Sequence, residues 1–511
     1  MDIKKTGCLL LLSTVILLAG NTLSYSIEDH DEHDELFKTV ELKDGKVLSI
    51  TDCVSLAYKN SPKIRRKKYE LDVAKSNVGL AKSRFFPVFN AGVGIGFDRN
   101  SNHIYYDKRF RDLPAVGVSL NQLIWDFGKS TSFIKMEEFY KIGAEYEFMD
   151  ILCYTLFDIK AKYYELLRAK ALFNSAKNDV EMNEQFVKLA HNKGSADLAN
   201  ATINLSQSKI KFIEAENNLY NAKYNLSNEM YIDNQPNYDI ESTPTFTYND
   251  SYKYGTKNYE KDPFSPYKFP FEIKDAPEIA YKNSPDLQVL ISTRKAMEQA
   301  LKYVKRTYMP ELTADVGYSY NNSKNTDEKI HNHGLHVGVN LSTSINLMEL
   351  RHSIKGADAQ LNIADNEIKL FKKDLYYELQ RAFNNVDRAK KQIPTAKTEV
   401  EQALKTFNIV IDEYEKDIGD VDYTMLQDAR KDYILALNHY INSVYDYNIA
   451  LIQVEMAMHY HLVDIHHKSE HALHYHSSEL LEHLNKVLDC DEKEVKKTTS
   501  KKSKKKAKSS K

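Results

Sequence analysis

Trp occurs once, Cys four times, Pro twelve times and Gly seventeen times in 511 residues, and each scarcity removes a class of fold. The cysteines, Cys8, Cys53, Cys153 and Cys490, are scattered and form no CxxC pair, so neither a disulfide framework nor a cysteine zinc site is expected. With so little Pro and Gly, long stretches can run as uninterrupted helix. There is little excess charge of either sign, the formal net charge being -2. The Lys- and Ser-rich stretch after Lys496 reads as a solvated tail that contacts anionic headgroups at most, not as a nucleic-acid binder. HExxH, GxSxG and a nucleotide loop in its required context are all absent. The Gly92–Gly96 alternation is followed by a polar loop where a phosphate cradle needs a helix. The pattern therefore implies no cofactor and no enzyme.

The one long apolar run lies at the start. Lys4 and Lys5 precede the apolar stretch 8–19, and Ser24 and Ser26 bracket Tyr25 in a small-x-small pattern; residues 1–26 read as a cleaved signal peptide. The run is too short for a spanning helix, which needs roughly 18 residues, and no Cys lies just after Gly20 to accept a lipid. Residues 27–48 form an acidic leader.

What is present is repetition. Ala57-Tyr58-Lys59-Asn60-Ser61-Pro62 returns as Ala280-Tyr281-Lys282-Asn283-Ser284-Pro285, and Pro87 returns as Pro310, both at an offset of 223 positions (60 to 283, 87 to 310). One register held at two places points to a duplicated fold, and the period is far too long for a solenoid unit. Each half reads as a short helix, an amphipathic helix, Pro, two alternating strands, a very long helix, a Gly turn and another long helix. Apolar residues at three- and four-residue spacing, as in Leu152, Leu156, Ile159, Tyr163 and Leu166, mark the helices. The stretch 129–192 reads as one helix of roughly 60 residues, on the order of 90 Å, a coiled-coil length. Gly194 and Gly419 are expected to supply left-handed C-caps at the hairpin turns, followed by helices from Asp197 to Met230 and from Val421 to Tyr460. The halves are thus 49–230 and 271–460, with 231–270 an irregular connector and 461–511 a His-rich, then Lys-rich tail.

Four segments alternate with the period of a strand: Phe89 to Phe97, Val116 to Leu120, Leu312 to Tyr320 and Leu335 to Ile345. Each is about ten residues, enough to cross a bilayer when tilted. Polar loops, 99–112 and 322–332, join the pairs. Alternation alone also suits a soluble sandwich. An exported chain with no second apolar run, however, enters lipid only as a closed barrel, because every backbone group must be paired there. Four strands do not close. Two chains would give eight strands, whose interior needs larger side chains than the Gly, Ser and Asn of the polar faces; three give twelve and leave a lumen. On that reading Asp98 and Asp315 face the lumen.

With these elements placed, the sequence resembles the TolC outer-membrane efflux family across residues 49–460. The resemblance is carried by Ala-x-x-Asn-x-Pro in each half, by Pro87 and Pro310, by a strand exit, Ile124-Trp125-Asp126-Phe127-Gly128, similar to the family's Leu-Phe-Asp-Gly-Gly, and by Gly419 followed by Leu426-Gln427-Asp428-Ala429. The second exit, Ile345-Asn346-Leu347-Met348-Glu349, lacks the Asp and Gly, so its turn is expected to differ. The resemblance implies an α+β chain with four strands per protomer. It further implies a homotrimer whose outer-membrane β-barrel continues as a long helical coiled-coil periplasmic tunnel, meeting a periplasmic adaptor and an inner-membrane pump of RND, ABC or MFS type, and exporting small molecules or proteins. It also implies a periplasmic gate beside the second hairpin turn, where Asp428 matches one of two acidic positions and Met425 occupies the other. Asp420, Asp422, Glu413, Glu415 and Asp417 make this tip acidic, and threefold symmetry would concentrate the potential. His191 and Lys193 make the first tip basic, an opposite charge that suggests a lock between turns.

Two readings compete. A surface coiled-coil adhesin or spacer would share the helices but not the strand pairs. The histidines after the last helix, with His467, His471 and His474 spaced for one helical face, suit zinc, copper or nickel, yet such tracts bind metal loosely and otherwise serve as polar tails.

Overall fold

The structure, a computed structural model, describes residues 45–98, 111–232, 238–240, 269, 271–325, 328–418 and 420–459. The expected signal peptide, most of the leader and connector, and the tail lie outside these residues.

A short strand β1 (Val47–Leu48) leads into α1 (Ile50–Asn60) and α2 (Pro62–Ser83). Ser49 and Asp52 close a reciprocal capping box at the start of α1, satisfying two of its orphan donors. The Asn-Ser-Pro element then ends one helix and starts the next. The Ser61 N–H donates to Ala57 O at 2.9 Å while its hydroxyl accepts from Ile64 N, and Pro62 sits where a helix needs no N–H. Ser284 repeats both bonds, with Ala280 and Leu287, and the backbone angles agree within a degree (φ -62, ψ 115 against φ -63, ψ 114). Ala57 and Ala280 are both fully buried, which leaves no room for larger side chains at these joints.

Next come β2 (Val88–Asp98), β3 (Arg111–Trp125), the 62-residue α3 (Lys129–Ala190) and α4 (Ser195–Met230). Strand β4 (Asp239–Ile240) lies in the expected irregular connector and pairs in parallel with β1. The second half repeats the order: α5 (Ala276–Asn283), α6 (Pro285–Lys305), β5 (Glu311–Asn325), β6 (Glu328–Ser342), the 70-residue α7 (Leu347–Lys416) and α8 (Tyr423–Met458). At 1.5 Å per residue α7 is on the order of 105 Å long.

The long helices pack as α3 against α4, α7 against α8, and α3 against α8. Their apolar faces make one continuous core in which Tyr163, Phe186, Leu226, Leu379, Phe407, Leu426 and Tyr440 are all at most 2% exposed. Fully burying such a side chain contributes about 1.5–3 kcal/mol.

The strands form one sheet in the order β2-β3-β5-β6, so the two halves meet at the antiparallel β3–β5 pair. Register lines up side chains of one kind. Phe89, Leu120, Val316 and Val337 form one row and Ala91, Val118, Tyr318 and Leu335 another, with Asn90, Ser119, Gly317 and His336 between them on the opposite face. A register shift between Leu123 and Trp125 inserts one residue, as a bulge does, and places Trp125 in the apolar row of Leu312 and Leu341. Two expectations are corrected. The strands run 11 to 15 residues instead of about ten. The polar stretch 322–332 is mostly ladder and not loop, since β5 and β6 stay paired to Asn325 opposite Glu328. Backbone pairing continues past the apolar rows because ladder bonds do not depend on side-chain polarity.

Candidate functional site

The two helical hairpins end side by side, and the second tip carries the candidate gate. Helix α7 ends at Asp417, which takes the left-handed conformation (φ 52, ψ 41). The expected left-handed Gly419 lies outside the described residues. Asp tolerates this region better than most L residues, so the cap is one the glycine pattern does not reveal. Gly194 is also not the left-handed C-cap expected of it: its backbone is extended (φ 158, ψ 163) and it stands as N-cap of α4.

Charge joins the tips. The Lys193 ammonium pairs with the Asp417 carboxylate and lies 5.4 Å from the centre of the Tyr414 ring. The Tyr414 hydroxyl in turn donates to Asp197 Oδ2 at 3.0 Å, and burial together with that carboxylate pushes the phenol up. The turns are therefore tied within one chain, by one ion pair and one charge-assisted hydrogen bond.

Behind the tip lies a polar network that the sequence reading missed. Arg430, on α8, is 4% exposed and pairs with Asp179, on α3, itself 4% exposed. Arg430 Nε also donates to Gln427 Oε1 at 2.9 Å, Gln427 donates to the Tyr423 hydroxyl, and Asn183 Nδ2 donates to Asp179 O at 2.8 Å. Above them Phe407 and Tyr433 stack with centroids 5.8 Å apart. The available signal was polar residues at Ser175, Asp179 and Asn183, four apart on the face where α3 otherwise buries Phe186 and Ala190.

The predicted gate residues are spread around this framework. Asp422 is the N-cap of α8 and accepts from Met425 N at 2.8 Å. Asp420 is exposed. Asp428 is exposed and, among the described residues, pairs with Lys431 at 3.6 Å on its own helix, a surface pair of little energetic weight. Met425 is exposed as well, whereas Leu426 and Ala429 of the same element are buried.

In the sheet, Asp315 lies on the polar face. It accepts from Asn340 Nδ2 at 2.7 Å and pairs with His336 Nε2 at 2.8 Å. Gly338 makes room for the pair, since a Cβ there would stand 2.9 Å from both Asp315 Oδ1 and His336 Nε2. Asp98 ends β2 opposite Arg111. His467, His471 and His474 lie outside the described residues.

The two strand exits differ, as the motif loss led us to expect. Asp126 accepts from Gly128 N at 3.1 Å and Ser130 N at 2.6 Å, while Phe127 and Gly128 both take positive φ. The Arg306 guanidinium donates to Gly128 O at 3.0 Å and Ser132 Oγ at 2.8 Å. A Cβ on Gly128 would meet that guanidinium at 2.8 Å. In the second half a single Asn346 caps α7, accepting from Glu349 N at 3.3 Å without a left-handed residue.

Comparison with known proteins gives a consistent picture. The family model described as "Outer membrane efflux protein" matches residues 53–229 and 276–458. Protein CyaE of Bordetella pertussis is 20% identical over 324 residues, 61% of this chain, and the chain spans 64% of that relative's length. Among solved structures, the Campylobacter jejuni CmeC outer membrane channel superposes with a TM-score of 0.68 at 16% identity, covering 85% of this chain and 89% of that one. The outer membrane protein VceC of Vibrio cholerae gives 0.64 at 12% identity, covering 80% and 95% respectively. At these identities the structural likeness establishes the fold.

Proposed function

The chain belongs to the outer membrane efflux protein family, and on that premise we propose that three copies close a twelve-stranded barrel in the outer membrane above a periplasmic helical tunnel through which cargo leaves without chemistry. The observation that carries this reading is the sheet. Among the described residues its two outer strands, β2 and β6, each pair on one side only. Its apolar face is also uncovered, with Phe89 65%, Val337 68% and Leu335 72% exposed. An open edge is not viable in hydrocarbon, and further copies would supply the missing partners.

The helices support the same assembly. Ile203, Ile210, Ile213, Tyr220 and Tyr224 on α4, and Ile363, Leu370 and Tyr377 on α7, are exposed apolar residues, the α7 set at heptad spacing. Helices α4 and α7 share no substantial contact within the chain, so one stripe is free to meet the other on a neighbouring copy. The repeated element order supports a duplicated protomer. An adhesin or spacer leaves the apolar sheet face without a medium to face.

Cargo enters past the acidic tip, where Asp420 and Asp428 stay exposed while Asp417 and Asp422 are engaged. A periplasmic adaptor and an inner-membrane pump would open this end by drawing the tips apart, at the expense of the Lys193–Asp417 and Tyr414–Asp197 contacts. Tripled by symmetry, Asp420 and Asp428 would attract cations to the entrance. In planar bilayers the Asp420→Asn/Asp428→Asn channel is expected to lose most of its block by multivalent cations from the periplasmic side. Unchanged block would reject these two residues as the entrance charge.

A further inference from the structure

Away from both the tip and the sheet polar face, three ligand-type side chains from distant parts of the sequence converge where α8 ends. Asp150 lies about a third of the way along α3, Asp286 in the first turn of α6, and His459 is the C-cap of α8. One donor atom from each lies within 4.8 Å of the others. Most of the surrounding charge is already engaged. Lys67, the cation closest in effect to Asp150, pairs with Glu70 and Glu147, each at 2.9 Å.

The histidine supplies an independent observation. His459 takes the left-handed conformation (φ 47, ψ 40) and its N–H closes the helix on Glu455 O and Met456 O. That conformation is uncommon for a residue with a side chain, and it ends α8 with the imidazole beside the two carboxylates. His459 Nδ1 is buried without a hydrogen-bond partner among the described residues. A buried polar atom left unpaired is costly, so an ion that this nitrogen reaches would relieve the orphaned atom as well as the two carboxylates.

We propose that Asp150, Asp286 and His459 form a binding site for one divalent transition-metal ion per chain, of which zinc is the representative, and that the ion ties α3, α6 and the end of α8 together. Two carboxylates balance the charge of a dication. Imidazole with carboxylate oxygens is a donor set that zinc accepts, and three protein ligands leave a fourth tetrahedral position for water. The site is structural: it lies at the convergence of the shaft helices and joins the two halves of the chain independently of the sheet. It does not depend on the transport reading.

The experiment uses the full-length protein in detergent, stripped with chelator, with all histidines after residue 460 replaced by asparagine so that the tail cannot supply ligands. Zinc is titrated against a chromophoric chelator, and anomalous scattering is recorded at the zinc edge from crystals of the unsubstituted protein. One tightly held zinc per chain is expected, weakened roughly tenfold or more by Asp286→Asn or by His459→Gln, with an anomalous peak between the three side chains. Absence of a tight site in the tail-substituted protein, equal affinity in the variants, or a peak only elsewhere would overturn the proposal. If either variant fails to fold, the anomalous map decides alone.

Discussion

In the helical shaft, apolar side chains face one another within a single chain, whereas in the sheet they face outward. The shaft buries Tyr163, Phe186, Phe407 and Tyr440 in one core, and even its charged residues Asp179 and Arg430 find each other. The sheet buries almost nothing: the rows through Phe89 and Leu335 are exposed, and its strands are joined mainly by backbone hydrogen bonding. One region has a packed core of its own within one chain, with only its α4 and α7 stripes left for a neighbour, and the other is a fraction of a closed object. The two should therefore answer differently to the same kind of insult, damage to the shaft appearing as lost stability and damage to the sheet as lost insertion.

The largest effect is expected in the shaft. Arg430→Ala strands Asp179 in the core and should destabilise the protein by about 3–5 kcal/mol, while an apolar Arg430→Met/Asp179→Leu pair should recover most of the loss. Chemical denaturation followed by helical circular dichroism reads both. If Arg430→Ala left the midpoint unmoved, the network would not be the shaft's internal tie. In the sheet, Val337→Lys on the apolar face should cost about 2–4 kcal/mol of folding in lipid vesicles, whereas Ser319→Lys, three rows away on the polar face, should cost little. Equal penalties would show that both faces meet the same medium, and the contrast between shaft and sheet would lose its basis. Smallest is the effect at the tip. Lys193→Glu removes an interaction of the exposed kind, worth about 0–1 kcal/mol, so stability should barely change while the open probability of single channels in planar bilayers rises. Unaltered gating would discard the lock between turns.

Much of the shaft was legible because periodicity and punctuation report backbone geometry directly. The offset of 223 marked both Asn-Ser-Pro joints, and the long helix begun at Lys129 ends at Ala190, two residues short of the expected end. Alternation assigned the apolar and polar faces of all four strands. What stayed hidden depended on contacts between distant residues. Asp179, Asn183 and Arg430 look like surface positions until α8 is laid on α3. Asp417 does not announce a left-handed cap, and Gly194, which does, is extended. Strands of two residues, such as β1 and β4, have no pattern to read, and the polar extension of β5 and β6 lacks the apolar alternation by which a strand is noticed. At the candidate gate, the acidic composition was visible, but which carboxylates are consumed by capping and pairing was not: Asp422 by the α8 N-terminus and Asp417 by Lys193, leaving Asp420 and Asp428 exposed.

The most direct test concerns closure. The full-length protein, purified in detergent, would be weighed by light scattering and then reconstituted into planar bilayers. A particle of three chains that passes ions is expected. A monodisperse single chain with an intact helical spectrum and no conductance would contradict the assembly, because a lone four-stranded sheet with two open edges has no way to persist in hydrocarbon.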